Sequence, residues 1–305
     1  GPRHRRPQFA PMGTDLIEGR ACRFAAAPCS MGRSMRLMRE YRFCLPRSSP
    51  SEKSCTNGNS WAGTREDDPV VGFLRARAAV DGSVDARSGF VCDVRRLDEL
   101  IREHVVERIR HDRSDEGALR VSDLGMMLPE IFGDCSANAP AGTTLARLEL
   151  LLSEHTSLSI QRSAPKVVEI TESFEFSASH RLACSDLSDE ENRKLFGKCS
   201  NPHGHGHNYV LEVTVRGTPD HRTGGLVPVG TIDRTVREQV IDPFDHKNLN
   251  VELPEFGQLN PTVENIASVI WDRLSAAFGA DRLARVRVWE TAKTYAERRS
   301  SDIQG

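Results

Sequence analysis

The chain has 305 residues, 38% of them hydrophobic, with 43 acidic against 41 basic side chains and a net charge of −2. That length holds one large domain or two of ordinary size. The near balance of charge gives no electrostatic footprint for nucleic acid, and no run approaches the ~20 apolar residues that cross a bilayer as a helix. Eight cysteines are scattered without CxxC pairs; with no secretory signal read in the chain, reduced thiols in the cytoplasm are expected.

In chain order, residues 1–34 are rich in Arg, Pro, Gly and Ala without periodicity. They read as a flexible leader, with Met35 as a natural start. A strand is expected over 73–80, followed by a helix whose Leu97, Leu100, Ile101 and Val105 form an i, i+3, i+4, i+8 stripe. A second helix is expected after Thr144, a candidate N-cap. In the second half, strands are expected at about 166–178, 207–216, 225–229 and 284–292. One helix there carries Ile232, Val236 and Val240 and ends near Pro243, and another follows Thr262 as N-cap. A hairpin, two helices and a returning strand pair in each half give an α+β fold with an antiparallel sheet.

The halves also match in sequence. Val80, Gly82, Asp85, Arg87, Gly89, Val94, Asp98, Arg102 and Glu103 recur at a constant offset as Val215, Gly217, Asp220, Arg222, Gly224, Val229, Asp233, Arg237 and Glu238. Two copies of one module are the economical reading, divided as 35–160 and 161–300. The copies are chemically unequal: His180 falls near Arg47, residues 40–72 contain no histidine, no Asp-His pair stands in place of Asp245-His246, and Glu264 falls on Ala146.

The stretch from Phe174 to Tyr209 concentrates the chemistry. His205 and His207 are two apart at the head of the alternating run Tyr209–Val215, so on a strand both imidazoles project from one face. His180 closes the alternating run Phe174, Phe176, Ala178, and opposed cross-strand residues approach within about 5 Å. Three histidines leave a fourth tetrahedral position open, the pattern of a catalytic zinc. His203 has the same parity, but Pro202 and Gly204 favour a turn there. Cys199 lies six residues before His205.

Phe-Ser-Ala-Ser-His180, Leu187-Ser-Asp-Glu-Glu-Asn192, Leu195-Phe-Gly-Lys-Cys199 and Asn201-Pro-His-Gly-His-Gly-His-Asn-Tyr209 closely resemble the 6-pyruvoyl-tetrahydropterin synthase family. Asp245-His246-Lys-Asn-Leu249, Pro261-Thr-Val-Glu264-Asn265 and Trp289-Glu290-Thr291 follow in that family's order, so the resemblance spans about 166–296. It implies the tunnelling fold, in which modules join edge to edge into a barrel, a zinc ion on His180, His205 and His207, and 7,8-dihydroneopterin triphosphate as substrate. It implies Cys199 as the base and Asp245-His246 as a second proton-transfer group. Glu290 is implied as the acceptor for the pterin amino and ring N–H donors, with Thr262 and Glu264 contributing to the pterin pocket. Val263 departs from the threonine usual in the family.

Single-module relatives look like hexamers of two stacked rings of three, so a chain with two modules is expected to form a homotrimer. The related 6-carboxy-tetrahydropterin synthases share the zinc site and substrate and stay open as an alternative, although the Leu187–Phe196 segment favours the pyruvoyl branch. A non-catalytic zinc-binding scaffold is the alternative of a different class.

Overall fold

The computed structural model describes residues 34–45, 72–113, 120–220 and 226–303; the expected leader and Arg47 lie outside the described residues. The first half runs β1 (Ser34–Leu45), β2 (Gly72–Ser83), α1 (Val94–Ile101), a π turn (Arg102–Val106), α2 (Glu107–Arg113), α3 (Val121–Ala137), β3 (Thr143–Leu151) and β4 (Thr156–Gln161). The second runs β5 (Ala164–His180), α4 (Asp189–Phe196), β6 (His205–Gly217), α5 (Val229–Val236), a second π turn (Arg237–Ile241) and α6 (Asp242–Phe244). It ends with β7 (Lys247–Asn248), α7 (Leu249–Glu252), α8 (Val263–Phe278), β8 (Leu283–Thr291) and β9 (Thr294–Arg299). No helix among the described residues is long and apolar enough to cross a membrane.

The strands form one sheet in the order β1-β2-β3-β4-β5-β6-β8-β9, each neighbouring pair antiparallel, with β7 beside the end of β5. The expected α+β class holds, and among the described residues the sheet is open at β1 and β9. Alternation explains its two faces. Phe174, Phe176, Ala178 and His180 of β5 join Tyr209, Leu211, Val213 and Val215 of β6 in the core, where α8 contributes Ile266, Ile270 and Leu274. The other parity carries ion pairs, with Arg77 between Glu40 and Glu149 in the first half and Glu212 against Arg285 and Arg287 in the second.

The irregularities of one half recur in the other. The π turn at Arg102–Val106 is matched 135 residues on by Arg237–Ile241. A bulge between Ala79 and Val80 against β3 is matched, by the same step, between Thr214 and Val215 against β8. A bulge or a π turn costs regular hydrogen bonds and is specified locally, so this coincidence is more informative than shared strands.

Two sequence expectations are corrected. Thr144 caps no helix; it is the second residue of β3, where it pairs with Asp81. The helix in question is α3, which starts after Arg120 with the Asp123 carboxylate accepting from Arg120 N–H at 2.8 Å. Val121, Leu124, Leu128 and Phe132 of α3 are buried as are Val263, Ile266, Ile270 and Leu274 of α8, so Glu264 falls on Ser122 and not on Ala146. The strand expected at 225–229 is absent from its described part: Pro228 has no N–H to pair, and its carbonyl accepts from Thr231 and Ile232 at the start of α5.

Candidate metal centre

Pairing of β5 with β6 puts His180 directly opposite His205 and Ala178 opposite His207. The connection between these strands (181–204) carries α4 and ends in a turn at Gly204, whose φ of +69° is left-handed and whose N–H donates to Asn201 O at 2.8 Å. A Cβ at Gly204 would stand 2.9 Å from the His180 carbonyl oxygen, so glycine is required on both counts. His203 stays in the turn and outside the cluster, as its flanking Pro and Gly suggest.

The three imidazoles converge, with ligand atoms all within 4.8 Å of one another. His180 is fully buried, and its Nδ1 lies 2.7 Å from Pro261 O. A carbonyl can only accept, so Nδ1 carries the proton and Nε2 presents its lone pair. Nε2 of His205 is 3.1 Å away, near the ~3.3 Å that two nitrogens at about 2.0–2.1 Å from one tetrahedral zinc would show. Nε2 of His207 is buried without a hydrogen-bond partner. Burial, foremost, holds His180 and His205 below the usual imidazole range, which keeps them neutral. Orphaned nitrogen, neutral rings and convergence fit a zinc ion.

Other groups rim the cluster. Glu290, at the end of β8, brings Oε1 to 3.6 Å from His180 Nε2 and 3.7 Å from His207 Nε2. Cys199 lies on the 3-10 turn Gly197–Ser200, and its thiol is pushed up by burial and then by Glu290. Tyr209, stacked on Phe176, has a buried phenol oxygen with no partner, held above its ordinary range by burial, Glu290 and Cys199. Neither Tyr209 nor Pro261 is among the site residues expected from the sequence. Parity with His205 and His207 was the available signal for Tyr209; for the Pro261 carbonyl there was none.

Asp245 and His246 form the expected pair, Oδ2 to Nδ1 at 2.7 Å. Asp245 Oδ1 accepts from Ser177 N–H, and His246, at φ 56°, donates its own N–H to Ser177 O. Partial burial would raise the Asp245 carboxyl, but these hydrogen bonds prevail and lower it. The imidazole is 82% exposed. It shares an open hollow with His207, Ser177, Ser179 and Asn208, and makes no hydrogen bond with Cys199 or Glu290. The position 135 residues before His246 is His111, preceded by Arg110 and not by Asp; its Nδ1 is 3.2 Å from Asp112 Oδ1, at the position matching Lys247.

Thr262 caps α8, its hydroxyl accepting from Asn265 N–H at 3.3 Å, and this fixes the neighbouring Pro261 carbonyl on His180. Glu264 is exposed in the first turn of α8 and contacts none of the three histidines. Loops behind the cluster are pinned by amides: Asn250 accepts from Arg181 N–H and donates to Arg181 O, and Asn260 accepts from Ala183 N–H.

Three converging imidazoles at the mouth of a strand pair, with a carboxylate, a thiol and a phenol around them, form a candidate metal centre on an antiparallel α+β sheet. Residues 169–301 match the family model for 6-pyruvoyl tetrahydropterin synthase. The human 6-pyruvoyl tetrahydrobiopterin synthase is 46% identical over 123 residues, 40% of this chain and 85% of that protein. The Drosophila melanogaster protein of the same name is 40% identical over 132 residues, 43% of this chain and 79% of that one. The solved structure of Caenorhabditis elegans 6-pyruvoyl tetrahydropterin synthase aligns at 34% identity and TM-score 0.41, covering 44% of this chain and 95% of that one. By its sequence relatives, the chain belongs to the 6-pyruvoyl tetrahydropterin synthase family.

Proposed function

We propose that this chain converts 7,8-dihydroneopterin triphosphate to 6-pyruvoyl-tetrahydropterin with loss of triphosphate. The observation that carries the reading is the convergence of His180, His205 and His207 with Glu290 and Cys199 at their rim, in a chain whose relatives bear this enzyme's name. The three histidines would hold zinc, which supplies Lewis-acid polarisation of hydroxyl or carbonyl oxygens when bound.

The remaining chemistry belongs to this chain's own groups. Cys199 takes the proton from the carbon next to the polarised oxygen; as a thiol raised by burial and by Glu290, it becomes a competent base only once positive charge stands nearby. His246 is oriented by Asp245 through Nδ1, which leaves Nε2 free to carry a second proton. Glu290 accepts from the pterin amino and ring N–H groups in bidentate fashion. Thr262 and Glu264 are assigned to the pterin pocket with the support of the family motif alone.

Residues 35–160 and 161–300 are two copies of one module in this reading. The shared π turn and bulge support it. Pairing of Phe43 with Leu74 and of Phe176 with Tyr209 sets the counterpart of His207 at Gly72, which has no side chain to offer. The first copy is thus a scaffold and the second carries the reaction. Incubating zinc-loaded protein with 7,8-dihydroneopterin triphosphate and weighing the pterin product tests the function. A 6-pyruvoyl product is expected; a 6-carboxy product or unchanged substrate would overturn it.

A further inference from the structure

Beside the three histidines stands a polar group to which the chemistry above gives no role, the Tyr209 phenol. Phe176 pairs with Tyr209, and Val210 with Trp289, so one cross-strand row of core-facing positions runs Phe176, Tyr209, Glu290. His205 and His207 precede Tyr209 on the same face of β6. The Tyr209 ring stacks on Phe176 at 5.0 Å between centroids. It stands edge-on to His180 at 6.3 Å and tilted to His207 at 5.7 Å. The residue is fully buried, and among the described residues its hydroxyl has no hydrogen-bond partner.

An unpaired donor in a protein interior is costly, and native structures seldom keep one without a use. Packing does not ask for this hydroxyl. In the first half Phe43 pairs with Leu74 as Phe176 pairs with Tyr209, and Arg75 pairs with Leu151 as Val210 pairs with Trp289. The counterparts of Tyr209 and Glu290 are therefore Leu74 and Leu152, both buried. The half that offers Gly72 in place of His207 keeps the phenylalanine and fills both polar positions with leucine. Apolar bulk serves the sheet in each half, whereas the hydroxyl and the carboxylate accompany the histidines.

We propose, on the basis of the reaction argued above, that Tyr209 is a further catalytic residue: its hydroxyl donates a hydrogen bond to the substrate's side-chain carbonyl oxygen as negative charge gathers there. Loss of triphosphate from the carbon beyond a carbonyl-activated C–H is an elimination. Cys199, as thiolate, takes the proton and becomes a thiol. The C–H electron pair enters a C=C bond, and the carbonyl π pair moves onto oxygen. When that pair remakes the carbonyl, the C=C pair shifts one bond along and triphosphate leaves with the electrons of its C–O bond. No oxidant or reductant enters these steps. A fixed donor at the carbonyl oxygen favours the charged state over the neutral one. A phenol fixed by ring stacking and strand register is such a donor. Glu290 and Cys199 are the acidic groups that act on it, so the hydroxyl lies near both the carboxylate assigned to the pterin ring and the base.

Tyr209→Phe tests this, because it removes the hydroxyl and keeps the stacked ring. Zinc content should match the wild type and Tm should be equal or higher. KM for 7,8-dihydroneopterin triphosphate should hold, while kcat falls ~10²–10³, as on removal of one oxyanion donor. Titration calorimetry reads the hydrogen bond without turnover. A 7,8-dihydropterin with an acyl side chain and no phosphate should bind the variant about fivefold more weakly than the wild type. 6-Methyl-7,8-dihydropterin, which has no side-chain oxygen, should bind both alike. Unchanged kcat, equal affinity of the two proteins for the acyl pterin, or an equal loss for both pterins would overturn the role of Tyr209 and leave the reaction standing. A wild-type chain that releases no triphosphate from 7,8-dihydroneopterin triphosphate would overturn the reaction, and the role of Tyr209 with it.

Discussion

A histidine binds metal through a ring nitrogen whose lone pair points at the ion, and the three rings here are oriented by two kinds of neighbour. For His180 the neighbour is Pro261 O, 81 residues away in sequence, which fixes the tautomer. For His205 and His207 it is the strand, which sets both on one face. Cys199→Ala is expected to keep fold and metal and to lose ~10²–10⁴ in turnover, read from single-turnover rates; unchanged turnover would remove Cys199 as base. Glu290→Gln should raise KM more than it lowers kcat, because an amide presents a donor where the pterin also donates.

A residue without a catalytic role gives a pH prediction. Arg39 on β1 makes a two-point ion pair with Asp98 on α1, but the matched positions on β5 and α5 are Glu172 and Asp233. Glu172 is fully buried, with Thr156 as its hydrogen-bond donor and one oxygen unpartnered. Burial, aided by Asp233, pushes its carboxyl from 4.5 up to about 8. The folded state thus holds a proton that the unfolded state has released, so stability falls as pH rises from about 4.5 to about 8. Glu172→Gln should raise Tm at pH 8 and leave it nearly unchanged at pH 4.5. The three histidines were legible in the sequence because parity is local; the buried Glu172 pair was not, because α5 and β5 meet only in the tertiary fold.

At the scale of elements, the turn at Gly204 decides whether the two histidine-bearing strands register. Gly204→Ala adds a Cβ at 2.9 Å from the His180 carbonyl in a left-handed conformation. It should weaken zinc binding as well as lower Tm, which calorimetric zinc titration and thermal melts measure separately. Thr262→Ala removes the cap of α8 and should cost about 0.5–2 kcal/mol in urea unfolding. Long amphipathic elements were legible: the Leu97–Val105 stripe is buried throughout, the strands expected at 166–178 and 207–216 are observed with slightly wider bounds, and the one expected at 284–292 runs Leu283–Thr291. The failures came where one short signal stood alone. Thr144 has the side chain of a cap but belongs to a strand, and the apolar run ending at Val229 is broken by Pro228, which instead starts α5.

On the scale of the whole molecule, one sheet runs through both halves, and among the described residues the converging imidazoles stand in the second. The covered core face continues through the β4–β5 joint, where Leu158 pairs with Ile170 and Ile160 with Val168, so the first half is tied to the second by backbone pairing and by shared apolar packing. Burying a side chain such as Leu158 is worth roughly 1.5–3 kcal/mol, and truncating it should therefore destabilise both halves together. In the reading proposed above, this pair of halves carries a single metal centre, on His180, His205 and His207. Its most direct test is elemental analysis of zinc in the purified full chain beside His205→Ala. About one zinc per chain is expected, lost in the variant while circular dichroism stays native; two tightly bound zincs per chain, or zinc retained by His205→Ala, would rule out a single centre on these histidines.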